Sequence, residues 1–343
     1  MQLYLDSYGA FLNVRNGKFQ VTPKHNEPHT FATDDVEVIF LTEGVSATSD
    51  ALMLALEKSI PIVLLNFLGQ SVGQVWSGKF GSIATIRRNQ IHFADNQQGW
   101  LWMAMTLAQK IDNQQFMLRQ LYDRYPHLFD KNAQTRFWRT CATLDGLAKN
   151  FKRYEFQNND FKRIAMDYRA YEATASRHYF RFIASIIPTE KWQFEARSFR
   201  PATDYFNCQL NYLYGMLYAQ VELSLIKVGI DPALGVLHVD RYNRPTMVYD
   251  FIEPYRHWAE IIALDLALED AIPADSFNTS FETTGENSGY WLGSKAKGIV
   301  INRFLHFLNQ PILFNKKQQK RLIVLDLEAQ RLATLLKEFK IEN

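Results

Sequence analysis

The spacing of apolar residues changes once along the chain. Up to about residue 90 it alternates with the short period of strands. Phe11-Leu12-Asn13-Val14-Arg15 and Lys18-Phe19-Gln20-Val21 flank Asn16-Gly17, a dipeptide suited to the tight turn of a hairpin. Val36 to Leu41, Ile60 to Leu65 and Gly69 to Trp76 read as further strands, and Thr48 or Ser49 can cap a short helix through Lys58. From about Gly99 the period is helical, first over Trp100 to Leu121 and then over 133–149, 161–187, 204–228, 246–270, 295–309 and 316–340. The polar stretch from Ile272 to Gly289 reads as a loop. The pattern predicts an α+β protein. A small β-rich N-terminal domain (1–90) is followed by a linker (91–98) and a larger all-helical domain (99–343).

Composition narrows the class. The 343 residues are 47% hydrophobic and 14% aromatic, enough for a packed core. The 38 basic and 36 acidic residues leave a net charge of +2, so any contact with nucleic acid must come from local clusters. Two cysteines, Cys141 and Cys208, make neither a disulfide framework nor a zinc motif and fit a reducing cytoplasm. No signal peptide stands at the N-terminus and no apolar run is long enough to span a bilayer, so no membrane role is expected.

The stretch richest in chemistry runs from Gly229 to Glu253. Gly229 and Asp231-Pro232 end a long apolar helix; Gly235, His238 and the Asn243-Arg244-Pro245 turn follow, and then Asp250 and Glu253 at i, i+3. An imidazole and two carboxylates suit a divalent cation. The same residues also suit a hydrogen-bonded core histidine and a solvated helix face. What favours a cation is the apolar company of the carboxylates, Met247, Val248, Phe251 and Ile252, since an unpaired buried carboxylate is costly. Farther back, Glu172 lies on a stripe with Tyr168, Ala175, Tyr179 and Phe182, where it can pair with Arg169 or serve as a third ligand. Asn207, Asn211 and Tyr214 add polar groups to the 204–228 helix and read mainly as buried hydrogen bonding. Basic residues cluster at Lys79, Arg87 and Arg88, at Arg197 and Arg200, and around Lys295, Lys297, Arg303 and Lys316 to Arg321.

Several blocks, in order, resemble the CRISPR-associated integrase family Cas1. They are Gly44-Val45-Ser46 to Leu54, Ile60 to Leu65 with Gly69, Arg88-Asn89-Gln90, Lys110-Ile111-Asp112-Asn113-Gln114, Tyr171-Glu172-Ala173 with Arg177-His178-Tyr179-Phe180, and Arg200-Pro201 with Asp204, Asn207 and Leu213-Tyr214-Gly215. The fullest block is Gly229-Ile230-Asp231-Pro232, Gly235, His238, Arg244-Pro245, Asp250, Glu253 and Arg256; Leu327 to Leu332 is similar to the C-terminal helix. Ala170 and Ala173 stand where the family often has glycines. The resemblance implies a metal-dependent DNA endonuclease and integrase that inserts short fragments into a CRISPR array by transesterification, in antiviral defence. It implies Mg²⁺ or Mn²⁺ on Glu172, His238 and Glu253, with Asp250 in or beside that shell. It also implies a homodimer, a Cas2-type partner, and short duplex and repeat DNA as substrates. Beside such a site Arg87, Arg88, Arg177, Arg200, Arg241, Arg244, Lys295 and Lys297 become the expected phosphate contacts. Two alternatives stand next to this reading. One is a related transposon-type integrase, which often carries an extra C-terminal DNA-binding domain, whereas this chain ends soon after its last helix. The other is a non-catalytic DNA-binding scaffold.

Overall fold

The computed structural model describes residues 1–24, 26–76, 83–154, 160–198, 201–238, 244–280 and 289–340. Backbone contacts divide the chain into two units, Met1–Gly81 and Ser82–Asn343. The expected class, a β-rich region followed by a helix-rich one, is what forms.

The first unit contains β1 (Gln2–Leu5), β2 (Phe11–Arg15), β3 (Lys18–Thr22), β4 (His29–Phe31), β5 (Val38–Thr42), β6 (Ser46–Ala47), α1 (Ser49–Glu57), β7 (Ile62–Leu65) and β8 (Ser71–Val75). They make two four-stranded sheets, ordered β1-β5-β7-β8 and β4-β3-β2-β6. Asn16 and Gly17 both have positive φ, 52° and 70°, as a two-residue hairpin turn of this hand requires. That turn sets the β2–β3 register, Phe11 opposite Thr22 through Arg15 opposite Lys18. Leu3, Leu5, Leu12, Phe19, Ile39 and Ile62 close one core with Ala51 and Ala55 of α1, whose N-terminus is capped by the Thr48 hydroxyl.

The second unit contains α2 (Ile83–Ala94), α3 (Gln97–Arg124), α4 (Lys131–Lys152), α5 (Phe161–Ala184), α6 (Thr189–Trp192), α7 (Tyr205–Lys227), α8 (Thr246–Phe251), α9 (Arg256–Leu268), β9 (Phe277–Ser280), β10 (Gly289–Leu292), α10 (Ser294–Asn309), β11 (Pro311–Phe314), β12 (Lys317–Lys320) and α11 (Arg321–Glu338). α7 is largely apolar and buried on nearly every side, and α8, α9, α10 and α11 pack against it. No described helix is long and apolar enough to cross a membrane.

Four expectations are corrected. Residues 91–98 are not a linker: α2 runs to Ala94 and α3 begins at Gln97. The stretch looks polar because α2 is largely exposed, yet it buries Gln90 and Phe93. The 246–270 helix is broken by Pro254, which has no N–H to donate; a 3-10 turn over Glu253–Tyr255 joins α8 to α9. Within the loop expected over 272–289, Phe277–Ser280 is a strand, β9, paired with β10, which begins at Gly289; 281–288 lie outside the described residues. The last helix starts at Arg321 rather than 316, because Asn315 and Lys316 take positive φ (47° and 64°) and turn β11 back into β12.

Candidate active site

The loop carrying His238 leaves α7 and is clamped from several sides. Gln90 of α2 donates to the carbonyls of Asp231 and Leu234, both at 2.8 Å, and accepts from the Asp231 N–H at 3.0 Å. The Thr246 hydroxyl donates to the Ala233 carbonyl at 2.5 Å and accepts from the Gly235 N–H at 2.9 Å. Arg169 of α5 donates to the Leu237 carbonyl at 2.6 Å. Gly235 is required by space: a Cβ there would lie 2.8 Å from Asp250 Oδ2 and 2.8 Å from the Thr246 carbonyl carbon. The loop is thereby pressed onto α8.

Asp250 is wholly buried beneath it. Its Oδ2 accepts from the N–H groups of Val236 and Leu237 (2.5 and 2.9 Å), and its Oδ1 from the His238 N–H and Nδ1 (3.3 and 2.6 Å). A carboxylate accepts, so the neutral imidazole of His238 carries its proton on Nδ1 and presents the lone pair on Nε2. The His238 side chain is 41% exposed. Asp250 therefore holds the histidine ring from behind and has all its acceptor capacity taken by these donors.

Glu172 and Glu253 come together elsewhere in the same unit. The ammonium of Lys110, in the middle of α3, pairs with Glu172 Oε1 and lies 2.6 Å from Glu253 Oε2. Ser176, one turn along α5, donates to Glu172 Oε1 at 2.7 Å. Arg256 donates to Glu253 Oε1 and to the Tyr218 hydroxyl, each at 3.2 Å, and covers the Tyr214 ring at 4.5 Å. Apart from the Lys110 ammonium, this buried Glu253 Oε2 has no hydrogen-bond partner among the described residues. Burial pushes the Glu172 carboxyl upward, but the Lys110 charge, with hydrogen bonds from Lys110 and Ser176, overrides it and holds the group down at about 2. Glu253 is likewise lowered: burial opposes ionisation, and Lys110 and Arg256 outweigh it. Burial disfavours the Lys110 cation, and the two glutamates more than restore it.

The expected three-ligand cluster is thus only partly assembled. Glu172 and Glu253 meet on one ammonium, while His238 is tied to Asp250 and reaches their neighbourhood through Arg169, one turn before Glu172. Among the described residues no three carboxylate, imidazole or thiol groups close into a metal cage. The donor set still fits a divalent ion: two ionised carboxylates, one with an oxygen that has no partner besides Lys110 among the described residues, and an imidazole whose other nitrogen is committed. Arg169 does not pair with Glu172, as the sequence allowed. Lys110 was legible as part of a block but not as a partner of the acids. The signal was there: it occupies a core position of the α3 stripe Met103, Leu107, Lys110, Gln114, Met117, Leu121.

Of the expected phosphate contacts, Arg88, Arg177, Arg244 and Lys295 are exposed. Arg87 lies 3.9 Å from Asp231, and Lys297 is over the Tyr212 ring. Arg200 and Arg241 are outside the described residues. Asn207 and Asn211 are bound by Arg197, with Asn207 also held by Asp204, which is the structural role weighed for them.

Behind the site, Asn113 and the His257 Nδ1 both donate to the Pro254 carbonyl, at 2.7 and 2.8 Å. Burial pushes the His257 imidazole down to about 4, the hydrogen bond to Pro254 opposing and Arg321 assisting. The unfolded chain therefore binds a proton between pH 6.5 and 4 that the folded chain refuses. This contribution is complete above about pH 6.5 and is lost as pH falls toward 4. Urea unfolding at pH 7 and pH 5 should show a loss of about 2 kcal/mol from this residue. His257→Asn, which keeps a donor for Pro254 but cannot titrate, should lose that much less.

The family model described as CRISPR associated protein Cas1 matches residues 3–305. The CRISPR-associated endonuclease Cas1 1 of Archaeoglobus fulgidus is 27% identical over 266 residues, 75% of this chain and 74% of that one. The fold is similar to a casposase bound to integration product (TM-score 0.78, 20% identity, 99% of this chain and 92% of the other). It is equally similar to a chain of a Cas6-RT-Cas1–Cas2 complex (TM-score 0.78, 20% identity, 99% of this chain and 36% of the other). The match crosses both units and spans the positions of the acids and the histidine, which puts the chain among CRISPR-associated proteins. It belongs to the Cas1 family. Relatives that it matches are named CRISPR-associated endonucleases.

Proposed function

We propose that the chain carries out strand transfer at a divalent cation, Mg²⁺ or Mn²⁺, held by Glu172, His238 and Glu253, with Asp250 positioning the histidine. One observation carries this reading: Glu172 and Glu253, from separate elements, share one buried cation in the unit where Asp250 locks His238 with Nε2 available. When bound, such an ion supplies Lewis acidity to a phosphoryl oxygen and charge balance for the departing alkoxide. The chain contributes the arrangement. Asp250 keeps the proton on Nδ1, Arg256 and Tyr218 anchor Glu253, and Arg169 fixes the His238 loop beside α5. The nucleophile is the 3′-hydroxyl of a DNA fragment. Its oxygen attacks phosphorus in the array, one phosphodiester bond forms as one breaks, and the departing 3′-oxygen takes up the proton. No serine, cysteine or lysine nucleophile is needed.

DNA reaches the site along α5. Its exposed face carries Lys162, Arg163, Arg169, Arg177 and Arg181 around the small residues Ala170 and Ala173, and no acid. Such a row contacts backbone phosphates without reading bases. The partners are a second copy of the chain and a Cas2-type protein, the latter supported by the complex that this fold resembles; the setting is the cytoplasm. For the homodimer we assign the β-rich unit, where Leu64, Phe67, Val72 and Trp76 are exposed. Sedimentation at micromolar concentration should give a dimer that Val72→Asp weakens; a wild-type monomer would remove this assignment. The overall test is integration of a short duplex into a repeat-bearing plasmid, with Mn²⁺ or EDTA and with or without Cas2. Products formed equally well in EDTA would overturn the metal reading.

A further inference from the structure

Lys110 needs its own explanation. A lysine is rarely buried unless paired, and removing its charge from water is costly. Lys110 is 4% exposed, on a core position of α3, among Leu107, Ile111 and Gln114. Its ammonium is the group that Glu172 and Glu253 have in common. Without it two carboxylates would face each other, and like charges in one site cannot both ionise cheaply. One turn on, Asn113 holds the Pro254 carbonyl beside Glu253, so α3 supplies both the cation and a clamp on the same turn.

We infer that Lys110 is a resident counter-ion for the two acidic ligands: it holds Glu172 and Glu253 together before metal binding and competes with the divalent ion for their oxygens. This rests on the reading of those glutamates as ligands. Three features support it. The ammonium touches both carboxylates, where an ion bridging them would be held. Apart from this ammonium, 2.6 Å away, Glu253 Oε2 has no hydrogen-bond partner among the described residues, so one of its two lone pairs is open to another cation. A lysine, with a flexible four-carbon stem and a compact charge, can withdraw from one carboxylate and keep the other; an arginine fork at this place could not do so as readily. Lys110 is thus a positioning residue, and its presence sets how much metal the site needs.

The test is Mn²⁺ binding to the full-length protein, read from the loss of the free-ion electron paramagnetic resonance signal, together with melting temperature with and without Mn²⁺. Lys110→Met should bind Mn²⁺ about tenfold or more tightly than wild type, because the competitor is gone. Its metal-free form should melt lower, and Mn²⁺ should raise its melting temperature more than it raises that of wild type. Lys110→Arg should show no gain in affinity. A Lys110→Met protein that folds only with Mn²⁺ would support the inference. Unchanged or weaker Mn²⁺ binding by Lys110→Met would overturn it, as would failure to fold even with the ion. His238→Ala separates the two levels: if wild type takes up no Mn²⁺, or His238→Ala takes it up equally well, the ligand assignment itself fails.

Discussion

Replacing His238 with alanine is expected to lower strand transfer by about 1000-fold, equivalent to about 4 kcal/mol of barrier, while DNA affinity stays within about threefold of wild type. The first half follows from the site. A divalent ion binds well to a preformed set of donors, and His238 is the one neutral nitrogen in the set. The second half follows from where affinity originates. The phosphate contacts proposed above are spread over exposed basic residues such as those on α5, and His238 is not among them. The fold should survive, since the side chain is 41% exposed and Asp250 keeps three backbone N–H donors after its removal. Integration and DNA binding should be measured side by side on the same preparations. Normal integration by His238→Ala would sink the mechanism; a parallel loss of DNA binding would move His238 from chemistry to recognition.

Asp250→Asn is expected to cost about 10- to 100-fold in metal affinity and activity, and also to destabilise the protein by about 2–4 kcal/mol. Both effects have one cause. The carboxylate accepts from the Val236, Leu237 and His238 N–H groups and from His238 Nδ1, and an amide can accept at one oxygen only. Its NH₂ group would confront donors on one side. Turned the other way, it would donate to Nδ1 and move the imidazole proton to Nε2, the nitrogen the metal needs. Unlike His238→Ala, this variant should lose stability along with activity. Its melting temperature and Mn²⁺ affinity, measured together, distinguish a support from a ligand. Full stability with full metal affinity would show that the carboxylate is not holding the loop.

The sequence carried the order of elements well where local chemistry decides them. Asn16-Gly17 dictates its turn by tolerating positive φ, Thr48 caps α1 through its hydroxyl, and the largely apolar sequence of α7 is buried on nearly every side. It also carried the acids and the histidine, because their spacing and apolar company are visible in one dimension and because the ordered blocks resemble a family. Elements set by long-range contact were harder to read. α2 looked like a polar linker since its face is mostly exposed, and only Gln90, buried against Asp231 and Leu234, shows what it braces. Lys316 took a turn conformation inside an apparently helical stretch because β11 and β12 pair across it.

The division is sharpest at the site. Sequence by itself determined that a histidine and three carboxylates were available, on which segments, and that apolar surroundings would make their charges expensive. Only tertiary structure decided their partners. Asp250 and Glu253 are three residues apart, yet the break at Pro254 and the fold of the His238 loop give Asp250 four donors from that loop and turn Glu253 toward α3. Lys110 reaches Glu172 and Glu253 from a helix far away in the chain, and no local pattern can name such a partner. The physical reason is that a buried charge is satisfied by whichever opposite charge the packing delivers, and packing is a property of the whole chain.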